Sequence, residues 1–142
     1  EEDSELLRRD AVDARDRVVD LVGGDAEHPV ILELDGRLAS IDNQHLEAIQ
    51  FFEQAQAVGS TLAPDSLLQL ATSLERIGQG GLAAERLGQA VEADPRSVSK
   101  RVRLAALYGR LRDYRRSLAV LAAIPQSVRE ENPSIIQLEE SM

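Results

Sequence analysis

The chain has no cysteine. That excludes disulfides, thiolate metal sites and cysteine nucleophiles, and leaves the redox compartment open. Tryptophan is also missing, and aromatics make up only 3% of the residues, too few to interleave with basic side chains as nucleic-acid surfaces require. The β-branched residues never fall into alternating runs, so strand signals are lacking as well. No apolar run approaches the roughly 18 residues of a membrane span, and nothing reads as a signal peptide. This stretch is expected neither to span nor to target a membrane. A starting methionine is missing too: the chain opens Glu1-Glu2, which suggests a piece of a longer protein. Its localisation stays open between cytoplasm and bacterial periplasm or cell envelope.

Chemistry-bearing constellations are equally scarce. His28 and His45 stand alone on different connectors, without a second ligand at metal-binding spacing, and suit exposed or capping roles. The run Gly78-Gln79-Gly80-Gly81 has no strand before it and no Lys-Ser/Thr after it, so it is a turn and not a phosphate loop. Asp13, Asp16 and Asp20 make a solvated acidic stripe, since a calcium site needs a loop around a glycine. No serine has a recognisable base and acid. The expectation is a non-enzyme without cofactor or metal.

What the chain does have is helical periodicity. Pro64 to Ser97 contains two amphipathic segments, with Leu67, Leu70, Ala71 and Leu74 in one and Leu82, Ala83, Leu87, Ala90 and Val91 in the other. Glycines separate them, and Asp94-Pro95 closes the unit. The same pattern extends in both directions. A long helix spans Ser4 to Val22, capped by Asp3 or Ser4, with Leu7, Ala11, Ala14, Val18 and Leu21 on one face, and it stops at Gly23-Gly24. Helices follow over about 29–41 and 45–58, the latter with Leu46, Ala48, Ile49, Phe52 and Ala55 inward and Phe51 turned partly outward. The central pair covers about 64–77 and 80–93. Asp94 caps a helix from Pro95 or Arg96 to Leu111, and another spans 114–123 up to Pro125. Residues 126–131 have no strong period, although a short helical turn would be compatible with them. Asn132-Pro133 opens a closing helix with Ile135, Ile136 and Leu138. The prediction is an all-α fold of about eight helices.

Charge is unevenly placed. Residues 1–63 hold 15 acids and 5 bases, while 64–142 hold 10 acids and 11 bases. Between Arg96 and Arg116, eight bases face one acid, Asp113. The molecule should have an acidic end and a basic segment. The Leu-, Ala-, Arg- and Asp-rich composition, with Lys100 as the single lysine, suggests a GC-rich bacterial gene.

The chain also repeats itself. Gly36, Ala71 and Ala105 are separated by 35 and 34 residues, as are Ala48, Ala83 and Ser117. Phe52, Leu87 and Leu121 keep that register, and so do Ala55, Ala90 and Ile124. Small residues at fixed places let paired helices approach closely. Amphipathicity alone does not require such a period.

This pattern resembles the tetratricopeptide repeat. Pro64 to Ser97 matches best, with Leu70-Ala71, Leu74, the turn glycine Gly78, then Ala83, Leu87, Ala90 and Pro95. Units 29–63 and 98–131 flank it, with Asn43 and Arg112 in place of the glycine; 1–28 and 132–142 look like half-units. The resemblance implies a right-handed α-solenoid of antiparallel helix pairs and a concave groove lined by the first helix of each unit, where peptides bind. Glu33, Arg37, Gln69, Thr72, Arg76, Arg103 and Arg110 should face that groove. In carboxylate-clamp members a lysine stands where this chain has Glu33, while Gln69 and Arg103 fall at compatible slots. Expected partners are a protein or peptide, acidic by the arginine count, or a second copy joined through acidic N-terminal and basic C-terminal surfaces. Nucleic acid is disfavoured by the overall acidity.

Overall fold

The computed structural model describes residues 2–142, without the side chains of Glu2 and Ser4. The described residues form nine helices and no strand. They are α1 (Glu2–Leu21), α2 (Pro29–Ile41), α3 (His45–Ala57), α4 (Pro64–Arg76), α5 (Gly80–Ala93), α6 (Val98–Arg110), α7 (Tyr114–Ala122), α8 (Gln126–Glu131) and α9 (Pro133–Glu140). Three helix pairs, α2/α3, α4/α5 and α6/α7, stack in sequence; α1 packs on α2 and α9 on α7. The array is an α-solenoid.

Each pair is joined by the same backbone device. Asn43, Gly78 and Arg112 all have positive φ, at 59°, 87° and 62°. The next amide then reaches back over the turn: Gln44 N donates to Ala39 O at 2.8 Å, Gln79 N to Leu74 O at 2.9 Å and Asp113 N to Tyr108 O at 2.9 Å. These bonds satisfy helix-end carbonyls that would otherwise be unpaired. Glycine suits this conformation and asparagine tolerates it, whereas Arg112 adopts it at a steric cost.

The recurring small residues mark the closest approaches. A Cβ added to Gly36 would lie 2.8 Å from ring atoms of Phe52, so only glycine lets α2 approach α3 there. Ser117 donates its hydroxyl to Ala105 O at 2.6 Å, tying α7 to α6 at the corresponding columns. One buried cluster runs from Leu32 on α2 through Phe52, Leu70, Leu74 and Leu87 to Leu107 on α6. A second joins Ala105, Leu121, Ile124 and Ile135 under α9. Phe51 packs partly buried against the first cluster.

Five expectations are refined or corrected. The unpatterned residues 126–131 form the short helix α8, with no buried residue of its own. That raises the count from about eight to nine. The helix α6 starts at Val98, not at Pro95 or Arg96: Ser97 caps it by accepting from Lys100 N at 3.2 Å, and Asp94 is engaged by the Lys100 ammonium at 3.1 Å instead. Leu46 is 65% exposed, because Ala48, Ile49, Phe52 and Ala55 already fill the face that α3 turns to its neighbours.

The fourth correction concerns α1, which is already helical at Glu2, upstream of the expected cap. The Ser4 side chain lies outside the described residues. The half-buried side of α1 holds Ala11, Val12, Arg15, Val18 and Val19, with Val22 just past its end, whereas Ala14 is exposed and Leu7 and Leu21 are 62% and 83% exposed. Two ion pairs to α2 and its C-cap go with this rotation: Arg8 Nε to Asp42 Oδ1 at 2.9 Å, and Arg15 to Asp35. Asn132 stands at the N-cap position of α9, but its side chain makes no cap bond there. Its side-chain amide donates to Val128 O at 2.7 Å.

Candidate functional site

The successive first helices do not all approach equally. Helices α2 and α4 touch directly, but α4 and α6 are splayed apart. Between α4 and α6 lies a cleft of about 620 Å³. Leu68, Ala71, Leu87, Ala106 and Leu107 form its apolar surface, and Thr72, Glu75, Arg76, Arg103 and Arg110 supply its polar groups. Leu87 comes from α5, the second helix, and is reached through the gap.

The helix phase explains the wall. Thr72 and Arg76 are four apart on α4, and Arg103 and Arg110 are seven apart on α6, so each pair lies on one stripe. The stripes meet across the gap in two places. Arg103 Nη2 donates to Thr72 Oγ1 at 3.4 Å, and Thr72 in turn donates to Leu68 O at 3.0 Å. Arg110 Nη2 lies 2.8 Å from Glu75 Oε1 and 3.0 Å from Oε2. Glu75 therefore occupies Arg110. Arg76 has no ion-pair partner among the described residues, and Arg103 makes one long bond, so most of their donor capacity faces the cleft.

One end of the junction is closed by Lys100. Its ammonium sits 3.0 Å from Asp65 Oδ1 on α4 and 3.1 Å from Asp94 Oδ2 at the end of α5. The residue is 8% exposed. Hydrogen bonding to Asp65, and then to Asp94, holds the ammonium above the ordinary lysine range.

The seven residues expected on the groove divide. Thr72, Arg76, Arg103 and Arg110 come together in the cleft. Arg37 is half-buried on α2, outside the cleft lining, and Gln69 is half-buried with its Oε1 unpaired. Glu33 is engaged locally: its carboxylate accepts from Ala63 N, 3.0 Å away, at the start of α4. Leu68, Glu75 and Leu87 were absent from the expected set. Glu75 had a signal, because it stands 35 residues before Arg110, one repeat away, and so must neighbour it across the junction.

The histidines serve local structure. His28 Nδ1 accepts from Val30 N at 3.3 Å, and His45 Nδ1 lies 3.2 Å from Ser73 Oγ. Among the described residues no group of three or more histidines and carboxylates is placed to hold a metal ion, and no helix is long and apolar enough to cross a membrane.

No protein-family model matches the chain. No curated protein matches it either. Among solved structures, the chain is similar to the crystal structure of YrrB, described as a TPR protein with an unusual peptide-binding site. The TM-score is 0.71 at 21% identity, over 96% of this chain and 70% of that one.

Proposed function

Starting from a chain that folds as a tetratricopeptide-repeat array, we propose that it is a non-catalytic scaffold that binds an acidic protein or peptide segment in the α4–α6 cleft. The observation that carries this reading is the cleft's composition: three arginines and one acid around an apolar floor. Two of those arginines, Arg76 and Arg103, keep unsatisfied donors. Guanidinium groups match carboxylates in geometry, and a concave wall concentrates their field. The floor of Leu68, Leu87 and Leu107 suits an apolar side chain next to the acid. The peptide-binding site named for YrrB supports the general reading, and the low identity leaves the choice of ligand to this chain's own residues.

The test is fluorescence polarisation with an unstructured peptide of alternating Glu and Leu, measured against the same peptide with Gln for Glu. The wild type should bind the acidic form, more weakly as salt rises. The triple variant Arg76→Ala, Arg103→Ala, Arg110→Ala should lose affinity at least about tenfold, since hydrogen bonds to charged groups are each worth roughly 1.5–3 kcal/mol. Equal affinity of wild type and triple variant for the acidic peptide would sink the proposal.

A further inference from the structure

The two ends of the α4–α6 junction are bridged by ion pairs of different kinds. At one end the Lys100 side chain is 10% exposed, and its ammonium touches both Asp65 and Asp94. Separating it from them would leave a buried charge unpaired, so this bridge belongs to the fold. At the other end Arg110 and Glu75 meet with side chains 57% and 36% exposed. Water screens these two charges whether or not they touch, and such a pair adds little to stability. Both stand in the cleft wall beside Thr72, Arg76 and Arg103, and Glu75 is the one acid of that described lining.

The exposed pair is also incompletely made. Both carboxylate oxygens of Glu75 address a single nitrogen of Arg110, Nη2, at 2.8 and 3.0 Å. A guanidinium grips a carboxylate most firmly through two parallel N–H bonds from two nitrogens. Here Nε and Nη1 of Arg110 make no hydrogen bond among the described residues, and Glu75 has no second partner among them. Exposed, held through one nitrogen and otherwise unsupported, the contact is open to exchange. A ligand carboxylate reaching Arg110 makes the bond that Glu75 makes now, so ligand and Glu75 compete for one guanidinium. The displaced Glu75 stays tethered beside its replacement, and two carboxylates so close repel each other.

We propose that Glu75 is a built-in competitor for the acidic segment: it holds Arg110 in place of a ligand carboxylate and so sets how tightly the cleft binds acids. This role rests on the cleft being the site of such a segment. It gives the three arginines unequal parts. Arg76 and Arg103 are ready to donate to a ligand, whereas Arg110 becomes available only when Glu75 lets go. Affinity for acids is therefore held below what three free arginines provide, and removing the Glu75 charge raises it. A bridge that served only to close the end of the cleft would give no such gain when loosened.

Fluorescence polarisation with the peptide of alternating Glu and Leu, and with its Gln-for-Glu counterpart, tests it. Glu75→Gln keeps the side chain's shape and removes its charge, and its thermal midpoint should match the wild type because the pair is exposed. It should bind the acidic peptide about three- to fivefold more tightly than the wild type, fivefold being the roughly 1 kcal/mol ceiling of an exposed ion pair expressed as a Kd ratio. Affinity for the Gln peptide should change less than about twofold, as it has no carboxylate to compete. In an Arg110→Ala background no guanidinium is left to release, so adding Glu75→Gln should shift acidic-peptide affinity by less than about twofold. Equal or weaker binding of the acidic peptide by Glu75→Gln overturns the proposal and makes the pair a structural bridge; the cleft remains an acid site if the triple arginine variant still loses affinity. An equal gain in the Arg110→Ala background also overturns it, since Glu75 then acts by repulsion alone. If neither the wild type nor Glu75→Gln binds the acidic peptide, the cleft is not a site for acids and the competitor role falls with it.

Discussion

Two junctions in this molecule have the same repeat logic and opposite outcomes. Between the first two pairs, α2 and α4 are in direct contact, and the polar groups there serve the fold: Glu33 receives Ala63 N, and Arg37 lies half-buried. Between the next two, α4 and α6 stand apart, bridged by Lys100–Asp65 at one end and Arg110–Glu75 at the other. The repeat columns are equally well packed in both places, with Gly36, Ala71 and Ala105 all buried. The core therefore does not decide where the cleft lies. What distinguishes the open junction is its polar lining, with three arginines gathered around one glutamate.

Three substitutions probe that contrast. The largest effect is expected at the closed side. Gly36→Ala places a Cβ 2.8 Å from the buried Phe52 ring, which has little room to move. A contact this short against a buried ring puts the overpacking at the upper end, about 3 kcal/mol, which leaves a net loss of about 2 kcal/mol after the gain of about 1 kcal/mol from alanine's helix propensity. The thermal midpoint should fall, and a rise would show that α2 and α3 are looser than their packing implies.

At the open side, Lys100→Met removes the staple between α4, α5 and α6. Asp65 and Asp94 remain partly exposed, so the expected loss is modest, about 1–2 kcal/mol in denaturant unfolding. The pH dependence has a definite sign. The folded pKa of Lys100 lies above the unfolded one, so the ammonium's contribution is fully present below about pH 10.4 and fades as pH rises through the folded value. Alkaline titration should therefore narrow the gap between wild type and variant; a gap that widens would contradict the staple.

The smallest effect is expected for Arg37→Ala. Arg37 lies away from the cleft lining, so affinity for the acidic peptide should stay within about twofold, below the cost of losing a charged hydrogen bond. A loss as large as that of the triple variant would extend the site across the closed junction.

Most of the fold was legible in the sequence because amphipathic spacing and the 34- to 35-residue period are both local readings. The boundaries of α2, α5 and the start of α4 follow directly from Pro29, Pro64 and the glycines. The misses have different causes: a partner distant in sequence, two rival caps close together, or an element too short to carry a period. Helix α1 turns Arg15 and Arg8 to Asp35 and Asp42, 20 and 34 residues away. The start of α6 was assigned to Asp94 because both Asp94 and Ser97 are good caps, and only the ammonium of Lys100 separates their roles. Helix α8 has six residues and buries none. At the cleft, stripe phase alone groups Arg37 and Gln69 with Thr72, Arg76, Arg103 and Arg110; the structure brings the last four to one cleft, because the spacing between neighbouring helices is not readable from the phase of each.

Lys100 has a further consequence, for reactivity. It is the chain's only side-chain amine, and it is buried between two carboxylates. Acylating and methylating reagents act on the free, neutral amine, which this setting both hides and disfavours. The folded surface of residues 2–142 thus offers no ready lysine target. The rate at which an amine-directed label reaches Lys100 becomes a clock for how often the α4–α6 junction comes apart.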